Sequence, residues 1–182
     1  MPVSAMAPRA DVVVRASSNA ADAQLDAARS SIAPNTYWVA GDRVTIVTSG
    51  KDSHNALAVF DIAVAADPEA GPPPHAHTDC DECFFIKQGT LKILVGERWL
   101  VAGPGDFLRV PRGVTHTFRN IGGTPARMIV TVSPAGLDNF FRAVGVPVTK
   151  DNIAGHMPSR IDLERLAANL PRFKMELRGM PE

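Results

Sequence analysis

Short runs of alternating apolar and polar residues, broken by turn-forming residues, dominate the chain from Tyr37 to Ser133. Val44–Thr48 and Leu57–Val64 are rich in β-branched residues with apolar positions two apart, the period of a half-buried strand. Leu91, Ile93 and Val95 continue the pattern, and Gly96-Glu97 turns the chain into Trp99-Leu100-Val101. Gly103-Pro-Gly-Asp106, Pro111-Arg-Gly113 and Asn120-Ile-Gly-Gly123 supply further turns. Many short strands at regular spacing, with no helix between them, predict an antiparallel sandwich or barrel.

The period changes after Pro134. Leu137, Phe140, Phe141 and Val144 fall at i, i+3, i+4 and i+7 before Gly145 and Pro147, which predicts an amphipathic helix and its stop. Leu163, Leu166, Ala167 and Leu170 repeat the pattern ahead of Pro171. Both helices are expected to lay apolar stripes on the outside of the barrel. Residues 1–35 are Ala- and Ser-rich, and Leu25, Ala28 and Ile32 form only a thin helical stripe. The expected organisation is an N-terminal arm over 1–35, a β-barrel over 36–135 and a C-terminal helical segment over 136–182.

Composition narrows the partners. The chain has 182 residues, with 19 basic and 19 acidic side chains and zero formal charge. A balanced charge lacks the basic footprint of a nucleic-acid or membrane-surface binder. The expectation is a small-molecule partner, with neither nucleic acid nor membrane involved. No apolar run reaches the roughly 20 residues that span a bilayer, and the first residues do not read as a signal peptide. A cytoplasmic location follows as the expectation.

Five histidines are present, two of them in Gly71-Pro-Pro-Pro-His75-Ala-His77. Side chains two apart on a strand share a face, so His75 and His77 can reach one ion. Glu82 comes five residues after His77, so Thr78–Asp81 must turn or bulge if the carboxylate is to rejoin that interior. His116 opens the strand after the Pro111-Arg-Gly113 turn, on the face of Val114 and Phe118. Three imidazoles and one carboxylate suit a single divalent transition metal ion, Fe, Mn, Ni, Co, Cu or Zn.

Cys80 and Cys83 have the spacing of a redox pair but no βα setting. Cys80 is read as a turn residue and Cys83 as packing between the sheets. His54 sits in a polar turn and is expected in solvent, and His156 precedes the last helix. Asn120 is read as a strand-end residue. Trp38, Phe84, Phe107 and Phe118 are the candidates to line a pocket for a flat aromatic molecule.

The two spaced patterns, G-x3-H-x-H-x4-E-x6-G over Gly71–Gly89 and G-x5-P-x-G-x2-H-x3-N over Gly105–Asn120, resemble the paired motifs of the cupin superfamily. Gly71 stands nearer His75 than in the usual motif. Tyr37–Asp42, the Ser133–Phe141 segment and a terminal helix give the chain the look of a single-domain, quercetin 2,3-dioxygenase-like cupin. The resemblance covers about residues 36–180. It implies an all-β cupin fold, a double-stranded β-helix or jelly-roll barrel, with an N-terminal arm and C-terminal helices. It also implies a homodimer, for which exposed strand edges give a physical reason.

The implied metal ligands are His75, His77, Glu82 and His116, and Glu82 either ligates or acts as general base. The implied activity is a metal-dependent dioxygenase that takes O2 and a phenolic or enolic small molecule, such as a flavonol or polyketide. A metal-dependent isomerase, cyclase or lyase, and a non-catalytic binding cupin, stay open beside it.

Overall fold

A computed structural model describes residues 33–67 and 71–180. Most of the arm expected over 1–35, with its Leu25, Ala28 and Ile32 stripe, lies outside the described residues.

Among the described residues, twelve strands and two α-helices follow in order: β1 Thr36–Val39, β2 Asp42–Thr48, β3 Ala58–Val64, β4 His75–His77, β5 Asp81–Gln88 and β6 Leu91–Val95. After them come β7 Arg98–Ala102, β8 Phe107–Val110, β9 His116–Asn120, β10 Ala126–Ser133, helix α1 Leu137–Val144, β11 Val146–Pro147, helix α2 Arg160–Asn169 and β12 Met175–Leu177. They make a seven-stranded sheet in the order β11-β1-β2-β3-β10-β5-β8 and a five-stranded sheet in the order β12-β4-β9-β6-β7. Every pairing is antiparallel. The fold is the expected all-β jelly roll.

Period-two patterning sets which side chains meet. In the larger sheet Ile46, Phe60, Val130 and Phe84 stand in one row across the strands, and Val44, Ile62, Met128 and Ile86 in the next. All eight are buried. Leu91, Ile93 and Phe118 answer from the smaller sheet. At roughly 25 cal/mol per Å2 of apolar surface removed from water, these facing rows hold the sheets together.

Helix α1 behaves as its stripe predicts: Leu137, Phe140, Phe141 and Val144 are all buried. Phe141 meets Phe60 edge to face with ring centroids 4.9 Å apart. Helix α2 differs. Ser159 and Asp162 close a capping box at its start, yet none of its residues is buried and Ile161 and Leu163 are exposed. Only Leu166 and, just past its end, Leu170 pack against the core. Its apolar positions are spread around the helix, so two of them touch the protein and the rest face out.

Cys80 lies in the β4–β5 connection, as expected of a turn residue, while Cys83 does not pack between the sheets. Cys80 is buried, and Cys83 is half-buried on the outer face of β5, opposite Thr131 and Arg109. Alternation with inward Glu82 is the reason: a neighbour of an inward residue on a strand points out. His54 is exposed in its turn, as expected, and His156 packs its ring nitrogen 3.0 Å from Asp162.

Candidate metal centre

His75 and His77 lie on β4, a three-residue strand buried along its length. Its lead-in is pinned to β9: Thr117 Oγ1 donates to the Pro72 carbonyl at 2.5 Å and the Arg119 guanidinium donates to the same oxygen at 2.9 Å. Gly71 makes that approach possible. At φ +121°, a Cβ there would sit 2.4 Å from the Phe118 carbonyl oxygen, so the chain passes where a larger residue would collide. The seam places His75 directly opposite His116.

Glu82 reaches the same point through a turn rather than a bulge. β4 belongs to the smaller sheet and β5 to the larger, so Thr78–Cys80 carries the chain across the sandwich. The carboxylate then faces the imidazoles from the opposite wall. Parity along one strand does not apply between two sheets.

One ring nitrogen each from His75, His77 and His116 lies within 4.8 Å of the other two. Ring centroids are 4.3 Å apart for His75–His116, 5.1 Å for His75–His77 and 5.2 Å for His77–His116. Glu82 Oε2 stands 2.8 Å from His116 Nε2 and 3.5 Å from His77 Nε2. His75 Nδ1 lies 2.9 Å from the Pro73 carbonyl and His116 Nδ1 3.0 Å from that of Val114. A carbonyl only accepts, so both Nδ1 atoms carry the proton and both Nε2 lone pairs are left for the centre.

The electrostatics follow from burial and from the group itself. Burial, helped by the neighbouring His116 and His77, pushes the His75 imidazole down to about 3, so it is neutral at ordinary pH. Burial alone would raise Glu82, but the ring nitrogens of His116 and His77 hold it below the usual carboxylate range. For His116, burial is outweighed by Glu82 and the net shift is upward.

Short as the 2.8 Å contact is, it lacks hydrogen-bond geometry. His77 Nε2, His116 Nε2 and Glu82 Oε2 are all buried without a hydrogen bond. Buried polar atoms left unpaired are costly. A divalent cation satisfies all three at once, and the imidazole and carboxylate donor set fits such an ion.

The centre opens into a cavity of about 770 Å3, solvent-open part included. Of the four aromatic residues expected to line a pocket, Phe84 and Phe118 do and the other two do not. Phe107 is 64% exposed. It pairs with Phe85 on the outer face of β5 and β8, while Leu108 and Val110 point inward. Trp38 stands opposite exposed Arg43 on β1 and its indole N–H donates to the Asn152 carbonyl at 3.1 Å. Asn120 ends β9 as expected, its amide donating to the carbonyls of Ala65 and Thr124.

Residues expected only to cover the barrel also line the cavity. Leu137, Phe140 and Phe141 of α1 wall the cavity, as do Leu166, Leu170 and Met175. The helical segment therefore builds the pocket as well as covering the barrel. Asp42 also lines it.

Residues 63–132 match the family model for the cupin domain. Over 103 residues the chain is 24% identical to Quercetin 2,3-dioxygenase of Bacillus subtilis (strain 168), covering 57% of this chain and 30% of that protein. It is 27% identical over 148 residues to Germin-like protein subfamily T member 3 of Arabidopsis thaliana, covering 78% of this chain and 62% of the relative. The chain thus spans less than two thirds of either one. Among solved structures, the polyketide cyclase RemF from Streptomyces resistomycificus superposes with a TM-score of 0.48 at 19% identity, over 58% of this chain and 75% of that one.

Proposed function

From a chain whose residues 63–132 form a cupin domain, we propose a metal-dependent dioxygenase acting on a phenolic or enolic small molecule, flavonol-like in shape. The observation that carries this reading is the set of three buried, hydrogen-bond-free atoms of His77, Glu82 and His116, with His75 beside them, at the wall of an apolar cavity. In this reading His75, His77, His116 and Glu82 hold the ion. A bound divalent metal would supply Lewis acidity toward an enol oxygen and, if redox-active, a path for electrons to O2.

The chain's own contribution is binding, orientation and proton handling. Phe84, Phe118, Phe140 and Phe141 give a flat aromatic ligand faces to stack on and keep water from it. Glu82, when it swings off the ion, is the group that accepts the enol proton. The Pro73 and Val114 carbonyls fix the rings of His75 and His116, so the donors need little rearrangement when a ligand arrives.

The test is oxygen uptake by metal-loaded protein supplied with quercetin. Uptake should depend on the metal, and Glu82→Gln should slow it by about 100-fold or more while weakening ligand binding far less. Turnover that proceeds equally well without oxygen would replace this reading with an isomerase or lyase. Equal losses of binding and turnover in the variant would point to a binding protein.

A further inference from the structure

Among the described residues, the cavity lining is apolar except for the three histidines, Glu82 and one more side chain, Asp42. That carboxyl is only 5% exposed. It begins β2 on the inner face, in the parity of buried Val44 and Ile46, and shares Ala65 with Asn120, accepting its N–H while the Asn120 amide donates to its carbonyl, which places it at the opposite end of β9 from His116. Ala40 and Gly41, at φ +50° and +93°, form the two-residue turn that fixes it, the left-handed pair that joins tight hairpins.

Asp42 Oδ1 accepts the Ala65 N–H at 3.2 Å. A packing role alone does not call for an acid here, since an asparagine would hold the same N–H. Burial pushes the carboxyl up to about 7, against the opposing pull of the Ala65 N–H and of Arg119. An acid kept at that cost on a cavity wall is a candidate for a ligand contact.

We propose that Asp42 is a specificity-determining residue: its carboxylate accepts a hydrogen bond from a hydroxyl at the end of the ligand remote from the metal centre. This rests on the metal-centre reading above and narrows its substrate class. The ligand would be a flat apolar body with a chelating enol–carbonyl pair at one end and a phenolic hydroxyl at the other. Val44, Ile62 and Phe118 line the same cavity and suit the apolar body.

The test uses the metal-loaded full chain at pH 8 and three probes: 3-hydroxyflavone, which has the chelating pair alone, and its 4′-hydroxy and 7-hydroxy derivatives. Wild-type protein should bind at least one hydroxylated probe about tenfold more tightly than 3-hydroxyflavone, the scale of a hydrogen bond to a charged group. Asp42→Asn keeps an oxygen for Ala65 and turns the other atom into a donor. It should erase that preference.

O-methylation of the favoured hydroxyl should weaken binding to wild-type protein to the same degree, a measurement that needs no variant to fold. No preference in the wild type, a preference that survives Asp42→Asn, or tight binding of the methyl ether would each overturn the assignment of Asp42. In those cases metal-dependent binding of 3-hydroxyflavone leaves the metal-centre reading standing. Absence of binding by all three probes would sink both.

Discussion

Asp42 also has a thermodynamic signature separable from its contact with a ligand. Its carboxyl ionises near 3.8 in an unfolded chain and at about 7 in the folded one. Between those values the folded state binds the extra proton, so this group's contribution to stability is present in acid and is lost as pH rises through 7. At about 1.4 kcal/mol for each pH unit, the full cost of ionising it in place is on the order of 4 kcal/mol. Asp42→Asn removes that cost. The variant should melt at a higher temperature than wild type at pH 8, with the gap narrowing steadily as pH falls toward 4. A gap independent of pH would mean that the side chain does not titrate in its folded position.

The residues of the candidate metal centre were the most legible part of the site at this scale. Both His-bearing segments combine fixed spacing with turn residues, and turn chemistry is local. Pocket aromatics were harder to read because hydrophobicity does not encode direction. Phe107 and Trp38 are large and apolar yet point outward, a fact that the parity of Phe107 with inward Val110, or of Trp38 with exposed Arg43, could have revealed. Asp42 carried a signal too: a carboxylate in the register of Val44 and Ile46 belongs inside.

Strands and helices divide along similar lines. Alternation located β2, β3, β6 and β7 within a residue or two, and the 3.6 period located α1. What alternation cannot encode is the sheet a strand joins. β4 and β5 are three residues apart in sequence and sit in opposite sheets, a choice made by long-range pairing. Helix α2 stays largely unburied because its apolar positions are spread around it, and only Leu166 and, past its end, Leu170 meet the core.

Helix α1 carries the packing of the C-terminal segment. Phe141 borders the cavity and locks onto Phe60, so Phe141→Ala should destabilise the fold by about 3 kcal/mol. That is the low end for a buried aromatic, since one side already faces open space. Urea unfolding with an unchanged slope would show it. A loss below about 1 kcal/mol would mean that α1 is not a structural wall of the cavity.

On the scale of the whole molecule, two sheets supply opposite halves of one centre. The smaller sheet brings the three histidines on β4 and β9, and the larger brings Glu82 on β5. β12 adds a strand to β4, with Met175 opposite His77 and Leu177 opposite His75, so it braces the strand that holds two of the candidate donors. A segment read from sequence as an external cover is part of the site. Among the described residues no helix is long and apolar enough to cross a membrane.

Metal stoichiometry, measured by elemental analysis on native protein and on His116→Ala, bears most directly on the central claim. Wild-type protein should carry close to one transition metal ion per chain, as purified or after incubation with Mn, Fe, Co, Ni, Cu or Zn salts. The variant, still folded by circular dichroism, should carry almost none. Wild-type protein that takes up none of these ions, or a variant that binds as much as wild type, would contradict it.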